Sequence, residues 1–180
     1  MKPSILFALA ILHSGAASAA EPASQAQPAA NPLIDYGGFV ESAARLEPVR
    51  NDNLISEEEF LRMAGEPNTV ILDARTPERF AQLHVKGAIS LPLTDFTAAN
   101  LAKLIPDKAT RILIYCNNNF NNEPVNFAAK RVTVALNIQT FINLHAYGYT
   151  NVKELAPLLD VATTKIPFSG PAAPQRAQAD

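Results

Sequence analysis

The stretch Arg111-Ile112-Leu113-Ile114-Tyr115-Cys116 decides how this chain is read. It is a short apolar run, too brief for a helix, and the polar Asn117-Asn118-Asn119 follows it directly. Such a run is expected to be a strand buried on both faces of a sheet. It delivers the chain's single cysteine to the strand's carboxyl end. A second run of the same kind, Thr69-Val70-Ile71-Leu72-Asp73, leads into Ala74-Arg75. Ligands of open parallel sheets gather beyond the carboxyl ends of the strands, so Asp73-Ala74-Arg75 and Cys116 are the two places to look for chemistry.

Working outward, helices alternate with the strands. Ser56-Glu57-Glu58-Glu59 has the capping-box pattern and predicts a helix through Met63. Pro77 suits a first helical turn and predicts a short helix through Leu83. A brief strand is expected over Ala88 to Leu91. Thr97 caps a helix that Pro106 ends. Asn117 to Thr133 reads as a long polar loop, Ala135 to Tyr147 as a helix with Gly148 at its end, and Asn151 to Leu155 as a last strand. The alternation predicts an α/β fold with a largely parallel central sheet.

The ends of the chain are of different material. Lys2, the apolar run from Ile5 to Leu12 and the small residues Ala17-Ser18-Ala19 predict a cleavable signal peptide over residues 1–20. The apolar run is much shorter than the roughly 20 residues that cross a bilayer, so no membrane span is expected after processing. The protein is therefore expected to be secreted or periplasmic. Residues 21–50 read as a linker and N-terminal extension, 51–160 as the domain, and 161–180 as a disordered tail rich in Ala, Pro and Gln. A net charge of −2 and the lack of any Lys/Arg run exclude an electrostatic footprint for nucleic acid. One cysteine cannot form an internal disulfide, so in an exported chain it is either inert and buried or a reactive thiol.

Four segments, in this order, resemble the signatures of rhodanese domains. They are Val70-Ile71-Leu72-Asp73-Ala74-Arg75, His84-Val85-Lys86-Gly87-Ala88-Ile89 with Leu91-Pro92, Ile112-Leu113-Ile114-Tyr115-Cys116, and Gly148-Tyr149-Thr150-Asn151-Val152. The resemblance covers about residues 51 to 160. It implies a rhodanese-like three-layer sandwich and a sulfurtransferase or persulfide carrier with Cys116 as nucleophile. The implied partner is a small sulfane-sulfur donor or a protein persulfide. No cofactor and no metal is implied. The sequence departs from the family after the cysteine, where Arg, Gly and a second Arg are usual. Here the loop is Asn-rich and much longer. Arg79 stands where Glu is usual, and Lys86 where Pro is common.

A sulfur-carrying thiolate needs donors around it. In rhodaneses, successive backbone N–H groups form that cradle, which requires residues of positive φ. Asn tolerates positive φ better than most residues, so Asn117, Asn118 and Asn119 are the candidate substrate-binding residues. Asp73 and Arg75 are expected to pin loops at the strand end. Arg75 is also a candidate for the pocket mouth and so for substrate binding. Lys130 and Arg131 are expected to be solvated, His84 to be structural and His145 to face solvent. Without the loop arginines the pocket is expected to be nearly neutral, thiosulfate transfer weak, and neutral or protein-bound persulfides preferred. The competing reading is a non-catalytic rhodanese-like binding module. A phosphatase reading fails because Asn122 occupies the position of the phosphate-gripping Arg.

Overall fold

The structure is a computed structural model and describes residues 31–175. The expected signal peptide and the last five residues of the expected tail lie outside them. Strand β5 (Arg111–Tyr115) lies at the centre of a five-stranded sheet beside β2 (Thr69–Asp73), with Asp73 opposite Tyr115. β7 (Val152–Leu155) flanks β5, β4 (Ala88–Ser90) flanks β2, and β1 (Leu54–Ile55) pairs with β7. Every pairing is parallel, in the order β1-β7-β5-β2-β4.

Alternate residues of the central strands enter two separate cores, which is why these strands are apolar without interruption. Leu72, Ile112 and Ile114 join one core with residues of α1 (Tyr36–Asn51), α4 (Ala98–Leu104) and α5 (Leu136–Ala146). Ile71, Leu113 and Tyr115 join the other with Phe60 and Met63 of α2 (Glu57–Ala64) and with Leu83, just past α3 (Pro77–Gln82). The result is the expected three-layer α/β sandwich. Helix ends follow the expected signals. The Ser56 and Thr97 hydroxyls accept from the backbone N–H of Glu59 and Asn100, and Gly148 takes φ +84° just beyond α5.

Four regions differ from expectation. Residues 36–51, read as part of a linker, form α1, capped by Asp35 and anchored through Leu46 in the first core. Its Gly37-Gly38 start and internal Pro48 hide it from propensity arguments. The segment 161–175 is not a disordered tail. Val161 and Ile166 are buried, and β9 (Phe168–Ser169) pairs antiparallel with β3 (His84–Val85). The stretch after Cys116 is not simply a polar loop. Phe120 and Phe127 enter the second core, their ring centroids 4.6 Å apart, and β6 (Phe120–Asn121) pairs with β8 (Leu159–Asp160). Finally, His145 does not face solvent freely. It is half-buried and stacks on Phe141, and burial, with Arg45 nearby, lowers its pKa.

Candidate active site

β5 and β2 end side by side, and each end carries a different device. At the end of β2, Asp73 is fully buried and Arg75 nearly so. The Arg75 guanidinium grips Asp73 through Nε (2.9 Å to Oδ1) and Nη2 (2.6 Å to Oδ2). It also donates to the Leu83 carbonyl (2.6 Å) and the Asn126 carbonyl (2.9 Å). Its carbon lies 4.3 Å from the Phe127 ring centroid and 5.6 Å from that of Tyr115. Tyr115 Oη donates to Asp73 and accepts from the Val85 N–H (3.1 Å). Burial is the largest influence on the Tyr115 phenol and pushes it well above its ordinary value. This cluster ties β2, β5, β3 and the segment after Cys116 together, as the loop-pinning expectation for Asp73 and Arg75 requires. His84 is likewise engaged, with Nδ1 2.6 Å from the Phe80 carbonyl.

At the end of β5, Cys116 is 1% exposed. A 3₁₀ turn, Asn117–Asn119, follows it directly. Cys116 caps that turn: its Sγ accepts from the Asn118 N–H (3.4 Å), and its own N–H donates to Asn119 Oδ1 (2.8 Å). The first turn of α5 has no side-chain cap. Its Asn137 and Leu136 N–H groups lie close enough to favour the ionised form of Cys116, but the Asn118 N–H alone has hydrogen-bond geometry to the sulfur. A helix N-terminus is the favoured place for such a charge. Burial outweighs these donors. It pushes the Cys116 thiol above its ordinary value, and the Glu154 carboxylate adds to the push.

The cradle is therefore not built as expected. Asn117 to Asn119 do not supply positive φ; in the Asn run only Asn122 does (φ 61°), at the far end. The one hydrogen-bonding amide comes from the turn, and the first turn of α5, which returns across the long insertion, adds a further favourable influence. Asn118 closes that insertion with two hydrogen bonds, Nδ2 to the Lys130 carbonyl (2.8 Å) and Oδ1 from the Lys130 N–H (2.9 Å). The Asn119 amide is committed to protein. Its Oδ1 also accepts from Asn137 Nδ2 (3.0 Å), and its Nδ2 donates to the carbonyls of Leu155 (2.7 Å) and Pro157 (3.3 Å). Asn117, next after Cys116, and Leu136 line a cavity of about 360 Å³ together with Arg75, Arg79 and Lys130, while the buried Cys116 itself does not line it. No carboxylate lines it. The cavity beside the site is cationic rather than neutral as expected, with charge from Arg79 of α3 and from Lys130, near the far end of the segment after Cys116.

With this geometry in view, the rhodanese-like domain profile matches residues 56–156, more than half of the chain. The chain belongs to the rhodanese-like family. It is 33% identical over 95 residues to the thiosulfate sulfurtransferase PspE of Escherichia coli K12, a match that spans 53% of this chain and 76% of that protein. Among solved structures it is similar to the BH2092 protein of Bacillus halodurans (18% identity, TM-score 0.50, covering 74% of this chain and 88% of that one). It is also similar to a rhodanese with anions from E. coli (27% identity, TM-score 0.38, covering 57% and 98%).

Helix α1 precedes the matched rhodanese-like region, yet it reaches the site. Arg50 binds the buried Glu154 bidentately, Nε to Oε2 at 2.6 Å and Nη2 to Oε1 at 2.5 Å. Asn137 Nδ2 donates to the same Glu154 Oε1 (3.2 Å). Sequence reasoning missed Arg50, Asn137 and Glu154. The usable signal was an acid inside the short apolar strand Val152-Lys153-Glu154-Leu155, where a buried carboxylate demands a cation.

Proposed function

We propose that this protein is an exported rhodanese-like sulfurtransferase that carries sulfane sulfur on Cys116. The observation that carries the reading is the sulfur's position. It lies at the end of β5, accepts from the Asn118 N–H beside the first turn of α5, and is followed by Asn117, which lines a cavity with Arg79 and Lys130. Family membership and the likeness to a thiosulfate sulfurtransferase support the same chemistry.

The Cys116 thiolate attacks the outer sulfur of an anionic donor such as thiosulfate. A new S–S bond forms to Cys116, the donor's own S–S bond breaks, and sulfite leaves with that electron pair. A nucleophilic acceptor, small or protein-borne, then attacks the outer persulfide sulfur and releases the Cys116 thiolate. The amide cradle stabilises anionic sulfur before and after transfer, and the cavity cations attract the donor. Asn117 is the proposed substrate contact among the asparagines. Asn118 and Asn119 hold the turn, and Arg75 reaches the cavity wall with its charge committed to Asp73. The raised thiol makes loading faster at alkaline pH, because more thiolate is then present. Incubation with thiosulfate followed by intact mass tests the reading. Cys116 should gain one sulfur atom, and Cys116→Ser should gain none.

The export reading rests on the Lys2, Ile5 to Leu12 and Ala17-Ser18-Ala19 pattern. Cleavage after Ala19 or Ala20 should leave an extracytoplasmic protein beginning near Glu21, as N-terminal mass spectrometry would record. Intact Met1 in that fraction would defeat it. Among the described residues, no helix is long and apolar enough to cross a membrane. The burial of Cys116 favours one second reading, a non-catalytic binding module. Failure of Cys116 either to load or to alkylate in the folded protein would establish it.

A further inference from the structure

We propose that Arg50, on a helix outside the family-matched region, is a positioning residue for Cys116, acting through Glu154, Asn137 and Asn119. The inference rests on Cys116 being the reacting thiol. Four contacts of hydrogen-bond length run in series. Arg50 clamps Glu154 with two bonds, 2.6 and 2.5 Å. Glu154 Oε1 accepts from Asn137 Nδ2 at 3.2 Å. The same Nδ2 donates to Asn119 Oδ1 at 3.0 Å. Asn119 Oδ1 accepts the Cys116 N–H at 2.8 Å. The Asn137 side chain is thus fixed between Glu154 and Asn119, while its backbone, in the first turn of α5, favours the ionised thiol.

The chain does electrostatic as well as geometric work. The Glu154 side chain is 5% exposed, and an anion at that depth needs a partner. It also lies close enough to Cys116 to oppose ionisation of the thiol. With Arg50 in place the guanidinium offsets part of that carboxylate's charge, although Glu154 still raises the thiol. Without Arg50, Glu154 is a bare negative charge under the cradle. The charged groups around Cys116 come from several elements. Glu154 belongs to β7 and Arg50 to α1, while Arg75, Arg79 and Lys130 face the cavity from the end of β2, α3 and the insertion. The α5 turn against the sulfur, Leu136-Asn137-Ile138, carries no charge. Of these groups, Arg50 and Glu154 alone are joined to the Cys116 backbone by this hydrogen-bond chain.

The test is an ultraviolet titration of thiolate absorbance, with the Cys116→Ser protein subtracted. The single cysteine makes the difference signal belong to one group. The full-length mature protein is used. Arg50→Ala should move the Cys116 midpoint to higher pH by about one unit. Glu154→Gln should move it to lower pH, and in the double variant the upward shift should vanish. Arg50→Lys keeps the charge and loses the bidentate grip, so it should recover most of the wild-type midpoint. A lowered melting temperature with an unmoved midpoint in both Arg50→Ala and Glu154→Gln would make the pair merely structural and overturn the proposal. If Arg50→Ala fails to fold, Glu154→Gln decides alone: a downward shift supports the proposal and none overturns it. The readout requires no sulfur transfer. Failure to load thiosulfate would therefore sink the proposed function while leaving this coupling to be judged by the titration.

Discussion

β2 and β5 are adjacent, parallel and of equal length, yet they end in opposite ways. β2 ends in charge that is shut in. Asp73 and Arg75 neutralise each other, and two backbone carbonyls and two aromatic rings enclose the guanidinium. β5 ends in a thiol that accepts from the neutral Asn118 N–H, and the Glu154 carboxylate that opposes its ionisation is paired to Arg50. A buried ion pair fixes geometry and holds no free valence for a reacting anion. Neutral amides aimed at one atom do the reverse: they are indifferent to the resting thiol and favour anionic sulfur. The stability of this site and its reactivity are therefore assigned to different strand ends, one residue step apart in the sheet.

Substitutions at the β2 end should break the fold before they touch the chemistry. Arg75→Ala leaves Asp73 buried and unpaired and should remove about 3–5 kcal/mol of stability, read by denaturant unfolding. An Arg75→Ala protein with wild-type stability and no sulfur transfer would move Arg75 to the catalytic side of the comparison. Asn119→Ala should come next. It strands the Cys116 N–H and the Leu155 carbonyl and should cost about 1–3 kcal/mol, together with slower loading of Cys116. Loss of stability with loading unchanged would separate the turn from the cradle.

Arg79 and Lys130 sharpen the comparison from the cavity side. Both are exposed, so Arg79→Ala and Lys130→Ala should each leave stability within about 0.5 kcal/mol of wild type. Each should raise KM for thiosulfate several-fold at low salt, and the effect should fade as salt screens it. Equal effects on a neutral persulfide donor would contradict the electrostatic role. The smallest effect concerns pH and stability. The folded Cys116 thiol lies above its ordinary value. Its contribution is therefore fully present below the unfolded cysteine pKa and is lost as pH rises through the folded value. Relative to Cys116→Ser, the wild-type protein should lose stability in that alkaline window and nowhere below it.

The apolar runs 69–73 and 111–115 were legible because both faces of these strands are buried, leaving an unbroken hydrophobic signature. Cys116, Asp73 and Arg75 followed from their places at the strand ends. The cradle was not legible. Part of it, the first turn of α5 at Leu136 and Asn137, is brought back across an insertion whose Phe120 and Phe127 look like isolated apolar residues in a polar loop. Helix α1 was hidden because it buries a single residue, Leu46, and carries Gly37, Gly38 and Pro48. The tail 161–175 was misread because Val161, Ile166 and Phe168 are spaced too widely to show a period, although Val161 and Ile166 are buried and Phe168 packs against them. The cavity cations were visible as residues, but neither Arg79 nor Lys130 could be placed beside Cys116 without the fold.

The central claim is that Cys116 takes up sulfur under this split cradle of amides, and thiosulfate loading followed by intact mass tests it most directly. The predicted result is a single added sulfur on the wild-type protein, formed faster as pH rises toward the thiol midpoint, released by cyanide and absent from Cys116→Ser. A folded wild-type protein that gains no sulfur across that pH range would contradict the account.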